Sequence, residues 1–250
     1  MKKFVLTSLL VACMTTFGFA QEEPIPPKRS KAVRVGLFGG FTPGWLSVDV
    51  GPLNEFIQSG KGAALKDNGV FLYGGTGAAY ILLIPNFRVG GVGMSGSIKS
   101  TSLDASNVRR DAELTVGFGG VTFEYVIPVL DRLDVAIGTM LGTGGIDLTL
   151  RQSNGGNNTW VGEQNYLSSG LGAPGNNVTR KLSGSYFVWV PSVNVEYAVL
   201  GWLGVRLGAS YVGMSAPSWQ VDSKYELLGV PSKVSGKGFM VNAGVFLGTY

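Results

Sequence analysis

Apolar and polar residues alternate along most of this chain with a period of two, which is the pattern of β-strands with two unlike faces. In the stretch 202–220, one face carries large apolar side chains and the other carries small or charged residues: Leu203, Val205, Leu207 and Ala209 against Gly204, Arg206, Gly208 and Ser210. Strand-like stretches of this kind are predicted at residues 32–48, 70–84, 87–103, 109–127, 132–151, 180–198, 202–220 and 237–250.

The connections between these eight stretches alternate between short and long. The short ones lie at Pro85-Asn86, 128–131 and Leu200-Gly201, and the long ones lie at 49–69, 104–108, 152–179 and 221–236. Short periplasmic turns and long outer loops are typical of outer-membrane barrels. The sequence therefore predicts an all-β, eight-stranded, antiparallel, up-and-down transmembrane β-barrel with both termini in the periplasm. Thr42-Pro43-Gly44 could divide the first stretch, so ten strands remain an alternative.

The alternation changes phase within two of the stretches. Leu114 and Val116 share a parity that Val121 and Phe123 do not, and the change falls at Gly119-Gly120. A second change falls within 142–145. Because glycine in a strand often marks an extra, unpaired residue, we expect β-bulges at both places.

The first twenty residues have the pattern of a secretory signal peptide. Lys2 and Lys3 precede a short apolar run, and small residues at Gly18 and Ala20 predict cleavage before Gln21. An alternative is that Cys13 is a lipidation site. Residues 21–31 are rich in proline and charge and are predicted to be a periplasmic lead, and residues 32–250 are predicted to be the barrel.

Composition excludes several classes of function. The chain has no histidine, and its one cysteine lies at position 13, so Ser–His catalysis, common zinc centres and disulfides in the mature chain are not expected. A net charge of +4, or about +2 without the signal peptide, does not predict the basic surface that binding of nucleic acid requires. The charged fraction of 14% is low and the 39 glycines are many, which favours a sheet that faces lipid.

Charged residues also occur at positions predicted to face the barrel interior near the short turns. Three cations and three anions there could pair with one another, which would offset much of the free energy of burying charge. We interpret them as a structural network that closes the lumen, with an ion or proton path and catalytic carboxylates as the alternatives. The residues are Arg34, Arg88, Glu124, Asp134, Glu196 and Arg206.

Two further features leave alternatives open. Glycine-rich segments on four consecutive strands predict either curvature or a cavity for a small apolar ligand. Residues 52–58 predict one or two helical turns with Leu53, Phe56 and Ile57 on one side, either at the rim or as a lid inside the lumen. Gly91–Gly96 matches the spacing of a dinucleotide-binding loop, but no helix follows it, so nucleotide binding is not expected.

The even strand number, the sorted loops, strands such as Leu203–Tyr211 and the aromatic carboxyl terminus at Tyr250 resemble the small outer-membrane β-barrel superfamily, which includes the OmpA-type, OmpX-type and OmpW-type proteins. The resemblance implies a monomer in the outer membrane of a Gram-negative cell, with lipid as its partner. We expect no enzyme activity, no cofactor and no metal. The expected role is structural, adhesive or surface-interacting. The alternative is a narrow channel or binding barrel for a small apolar ligand.

Overall fold

The computed structural model describes residues 36–105, 108–153, 178–222, 224–231 and 233–248. The predicted signal peptide and lead, Cys13, Arg34, Tyr250 and most of the loop 152–179 lie outside these residues. The described elements, in chain order, are β1 (Leu37–Phe41), β2 (Gly44–Leu46), α1 (Gly51–Ser59), β3 (Val70–Tyr80), β4 (Phe87–Leu103), β5 (Arg109–Leu130), β6 (Leu133–Ser153), β7 (Val178–Ala198), β8 (Leu203–Met214), β9 (Ser218–Val221), β10 (Tyr225–Glu226) and β11 (Gly238–Gly248).

The strands close into a ring of eight positions. Strands β3 to β8 follow one another in chain order, and β8 pairs with β11. The short strands β1 and β2 share the remaining position, because each of them pairs with both β3 and β11. All of these pairings are antiparallel, which confirms the predicted eight-stranded barrel over the ten-stranded alternative. Strand β9 continues along β7 beyond the end of β8, and β10 turns back beside it.

The half of the wall next to the short turns, here called the lower half, is apolar on its outer surface. In β7 the outward residues Phe187, Trp189, Val193, Val195 and Tyr197 are all more than two-fifths exposed. An aromatic row crosses three neighbouring strands at the upper edge of this band, with ring centroids 6.1 Å apart for Trp189 and Tyr211 and 5.2 Å apart for Tyr211 and Phe239. An outward apolar band edged by aromatic rings suits a lipid environment.

The half of the wall next to the long loops, the upper half, has the opposite polarity. In β5, Leu114 and Val116 point inward and are fully buried, whereas Val121 and Phe123 point outward and are exposed. The pairing of β5 with β4 and β6 runs without a break through Gly119-Gly120 and Gly142–Gly145, so the bulges predicted there are wrong. The register shift that β5 and β6 do show lies at their hairpin, between Pro128 and Leu130. The apolar residues change face while the strand stays in register.

The glycines at this change of face are required by close packing inside the narrow ring. A Cβ on Gly142 would meet the carbonyl oxygen of Gly119, and a Cβ on Gly144 would meet the ring of Tyr186. That ring lies across Gly144, and its hydroxyl donates to the carbonyl oxygens of Gly117 at 3.1 Å and Gly145 at 3.2 Å. Gly142 therefore admits the backbone of the neighbouring strand and Gly144 admits the Tyr186 ring, and neither glycine interrupts its strand.

The upper lumen is filled by two segments that fold inward from the wall. Helix α1 buries Leu53 and Ile57 in the same apolar cluster as Leu114 and Ile146 of the strands, while Phe56 stays exposed. Nearby, Ser100 of β4 donates to the carbonyl oxygen of Ala63 at 2.6 Å. The helix therefore lies inside the mouth of the barrel, as in the lid alternative, with Phe56 directed away from the cluster.

The second segment that fills the mouth precedes β11. Val234 is buried in the apolar cluster, and the backbone N–H of Gly236 contacts the sulfur of Met214 at 3.1 Å. Within the described ranges, no helix is both long enough and apolar enough to cross a bilayer.

Candidate functional site

Two pairs of adjacent strands, separated by β6, bring four charged side chains together inside the lower half of the barrel. Arg88 of β4 lies directly opposite Glu124 of β5, and Glu196 of β7 lies directly opposite Arg206 of β8. All four residues have even numbers, the parity that points into the lumen throughout these strands. Their exposed fractions are between 1% and 7%, so the cluster is removed from water.

Each carboxylate is bound by both guanidinium groups. Arg88 donates through Nε to Glu124 at 2.6 Å and through Nη1 to Glu196 at 2.8 Å, with a further bond from its Nη2 to Glu196. Arg206 donates to both oxygens of Glu124, at 3.2 Å each, and its Nη2 is also paired with Glu196. We refer to these four residues as the charge cluster.

Two aromatic rings lie against the cations of the cluster. Phe38 of β1 and Phe246 of β11 pack edge to face with their centroids 5.2 Å apart. The guanidinium carbon of Arg88 lies 4.8 Å from the Phe38 centroid, and that of Arg206 lies 5.0 Å from the Phe246 centroid. Cation–π contacts of this kind favour a charged guanidinium where little water can reach it.

The structure brings together four of the six charged residues named from the sequence. Arg34 lies outside the described residues. Asp134 is half-buried on β6, at the position directly opposite Glu196. The sequence reasoning missed Phe38 and Phe246, although both have the even parity of Arg206 and could have been placed on the inner face by counting.

The cluster is electrically balanced, since two guanidinium groups face two carboxylates. A carboxylate bound by two guanidinium groups has most of its acceptor positions occupied, which leaves little capacity to bind a substrate. Among the described residues, no group of three or more acidic or cysteine side chains is arranged to hold a metal ion. The cluster forms an ion-pair network across the lumen.

A groove with a cavity volume of about 150 Å³ lies on the upper half of the wall. It is bordered by charged residues of β4, β5 and β6, namely Lys99, Arg109, Asp111, Glu113 and Arg151. Although partial burial raises the pKa of Asp111, hydrogen bonds from Thr101 and Arg109 outweigh that effect and hold the pKa below its usual value. The groove is lined by acidic and basic side chains.

Comparison with known proteins gives matches among solved structures only. No protein-family model matches the chain, and no curated protein matches its sequence. Among solved structures, it is similar to Ail, the attachment invasion locus protein of Yersinia pestis, with 11% identity over 85% of this chain and 97% of that chain and a TM-score of 0.34.

Two other matches are of the same kind. Neisserial surface protein A has 9% identity over 85% of this chain and 96% of that chain, with a TM-score of 0.36. A major outer membrane protein from Thermus thermophilus has 10% identity over 85% of this chain and 98% of that chain, with a TM-score of 0.39. The fold assignment rests on the strand pairing of the chain itself.

Proposed function

We propose that this protein is a closed, non-enzymatic outer-membrane barrel that acts at the cell surface, by adhesion or another surface interaction, and does not conduct solutes. The observation that carries the proposal is the filling of the lumen at two levels. The charge cluster crosses the lower half, and the apolar cluster containing Leu53 and Ile57 of α1 fills the upper half.

The length of the wall supports a role outside the membrane. Strands β5, β6 and β7 contain 22, 21 and 21 residues. A transmembrane strand needs about 9–11 residues, so roughly half of each strand extends beyond the lipid. The extended part carries cross-strand ion pairs on its outer surface, Lys99 with Glu113 at 3.0 Å and Lys181 with Asp147 at 3.1 Å.

The charged groove of about 150 Å³ lies on this extended surface. It offers a molecule outside the cell both donors, from Arg109 and Arg151, and acceptors, from Asp111 and Glu113. The channel alternative would need a continuous path through the charge cluster and past α1. The observed filling of the lumen therefore favours the surface role.

Planar-bilayer recording separates the two roles. The purified barrel is expected to give no steady channel openings at moderate voltage, because the interior of a barrel of this size is filled by side chains. Reproducible openings of constant conductance would exclude the closed barrel.

The orientation can be tested with single-cysteine variants, since the only cysteine of the chain is Cys13. A membrane-impermeant maleimide applied to intact cells is expected to label Thr149→Cys on the upper outer wall and not Asp131→Cys in a short turn. The reverse pattern would place the long-loop end in the periplasm and overturn the surface role.

The groove can be tested by adhesion of expressing cells to glass coated with an anionic or a neutral polymer. The double variant Arg109→Ser, Arg151→Ser is expected to reduce retention on the anionic coating, while Lys224→Ser, outside the groove, leaves it unchanged. Equal retention of all three proteins would exclude the groove as the interaction surface.

A further inference from the structure

A small chamber lies inside the barrel between the charge cluster and the apolar cluster. Its volume is about 50 Å³. Its lower side is formed by Glu124 and Arg206 of the charge cluster. Its walls are polar and are formed by Thr42, Thr76, Thr122, Ser192, Asn194, Ser210 and Asn242. Its upper side is apolar and is formed by Met94, Phe118, Met140, Val190 and Met240.

Three of the residues that line this chamber have buried polar atoms without a hydrogen-bond partner among the described residues: Thr42 Oγ1, Ser210 Oγ and Arg206 Nε. The exposed fractions of these residues are 2%, 9% and 6%. Leaving a buried polar atom unsatisfied costs about 1–3 kcal/mol, and a charged one more. Three such atoms bordering one cavity indicate that the cavity holds their partner.

The backbone places these residues on the inner face of the wall. Thr42 lies between β1 and β2, where its N–H donates to the carbonyl oxygen of Gly74 at 3.0 Å and keeps the residue against the wall. Ser210 lies directly opposite Ser192 on the neighbouring strand, so both hydroxyls are on the inner face. Arg206 uses Nη1 and Nη2 on the two carboxylates of the cluster, which leaves Nε for another acceptor.

The charge around the chamber selects a neutral occupant. An anion that accepted from Arg206 Nε would also lie near the Glu124 carboxylate, and a cation near that carboxylate would face the guanidinium. Because the two arginines are already balanced by two glutamates, the chamber offers no net charge to either ion. The hydroxyls of Thr42 and Ser210 can both donate and accept, so the matching group is one that does the same.

We propose that this chamber is a binding site for a cluster of neutral hydroxylic molecules, and that the occupant is water. A buried water needs at least about 10–15 Å³ of such volume, so the chamber has room for roughly three to five. These waters accept a hydrogen bond from Arg206 Nε and form hydrogen bonds with the hydroxyls of Thr42 and Ser210. The methionine side chains above them form the upper boundary of the water cluster. The inference is independent of the surface role, because it concerns the interior alone.

Solution NMR on the folded barrel in detergent micelles tests the occupant directly. Water cross-peaks are expected to the methyl groups of Val190 and Met240, which line the chamber and carry no exchangeable proton. The matched controls are the methyl groups of Leu114 and Val116 in the apolar cluster, for which no water cross-peak is expected. The absence of cross-peaks at Val190 and Met240 would overturn the proposal.

Ion binding is tested in the same samples by replacing chloride with gluconate and sodium with choline. The Asn194 side-chain amide signals are expected to stay unchanged, because a neutral occupant does not respond to either replacement. A saturable shift of these signals with chloride or sodium would identify an ion site instead.

A pair of serine variants tests the energetic role of the water. Ser183 Oγ is also buried without a described partner, but Ser183 does not line the chamber. Ser210→Ala is expected to lower the midpoint urea concentration of unfolding, because it removes a hydroxyl bonded to water, whereas Ser183→Ala is expected to leave the midpoint unchanged or raise it. Equal shifts in the two variants would contradict the proposal.

Discussion

The lower and upper halves of the barrel are built from the same strands with opposite polarity. Strand β5 shows the difference most clearly: Val121 and Phe123 are exposed on the outer face of the lower half, and Leu114 and Val116 are buried on the inner face of the upper half. The solvent around each half explains the difference. Lipid surrounds the lower wall, and water surrounds the upper wall, so apolar side chains are directed outward in the first and inward in the second.

This comparison shows that a period of two identifies a strand but not its environment. A one-residue change of phase has two physical explanations, an extra residue in the ladder or a change in which face is apolar. In β5 the ladder is continuous, so the second explanation holds. The upper half resembles a soluble sheet packed on a helix, and the lower half resembles a membrane barrel with a polar interior.

The largest expected effect comes from removing a cation from the interior of the lower half. Arg88→Met leaves Glu124 and Glu196 with Arg206 as their remaining partner in the charge cluster, and breaking a buried ion pair costs about 3–5 kcal/mol. The free energy of unfolding in urea should fall accordingly. The control is Arg109→Met, which breaks an exposed pair on the upper outer wall, 3.0 Å from Asp111, and should cost about 0–1 kcal/mol. Equal losses of unfolding free energy in the two variants would show that the interior of the lower half and the outer surface of the upper half do not differ in this respect.

A smaller effect is expected from placing a charge on the outer face of each half. Val193→Arg puts a cation in the middle of the apolar band on β7 and should cost about 2–4 kcal/mol. Thr149→Arg makes the corresponding change on the outer face of the upper half and should stay within about 0.5 kcal/mol. Both are measured by urea unfolding in lipid vesicles. A tolerated arginine at 193 would mean that lipid does not contact that face.

The smallest expected effect concerns how the β9–β10 hairpin is held on the upper half of β7. The backbone N–H of Lys181 and then the guanidinium of Arg180 lower the pKa of Asp222 from its ordinary value. A carboxylate with a lowered pKa stabilises the folded state above its unfolded pKa, and that contribution is lost as the pH falls below about 4. Amide protection factors in β9 and β10 should therefore decrease below that pH.

Two variants serve as controls for this effect. Asp222→Asn should remove the pH dependence of the protection factors, whereas Asp131→Asn, in a short turn of the lower half, should preserve it. A decrease that persisted in Asp222→Asn would assign the pH dependence to another group.

Much of the ring could be predicted from the sequence, because strand ends and turns depend on local chemistry. The boundaries predicted for β4, 87–103, agree with the structure, and the short turns at Pro85-Asn86 and Leu200-Gly201 lie where expected. The meeting of Arg88 with Glu124 follows from parity and from the hairpin between their strands. The contact of Arg88 with Glu196 could be proposed from parity, but the distance between the two side chains could not be predicted, since it depends on closure of the ring.

The interior of the upper half could not be predicted in the same way. The burial of Leu53 and Ile57 depends on contacts with strands more than fifty residues further along the chain, including Leu114 and Ile146. The local period of apolar residues does not predict such contacts. The chamber could not be predicted from the sequence either, because it depends on where the side chains of Thr42 and Ser210 end relative to Arg206.

The two segments that fill the upper lumen have a consequence for the order of assembly. Helix α1 directly follows β2, and the segment containing Val234 directly precedes β11, so both belong to the seam where the first and last strands of the ring meet. Their apolar residues pack against strands on the far side, such as Val116, which lies near Gly236. Because contacts between distant parts of a chain carry a large loop-closure entropy cost, we expect the mouth to be filled only as the seam closes. Closure of the wall and filling of its mouth would then take place in the same folding step.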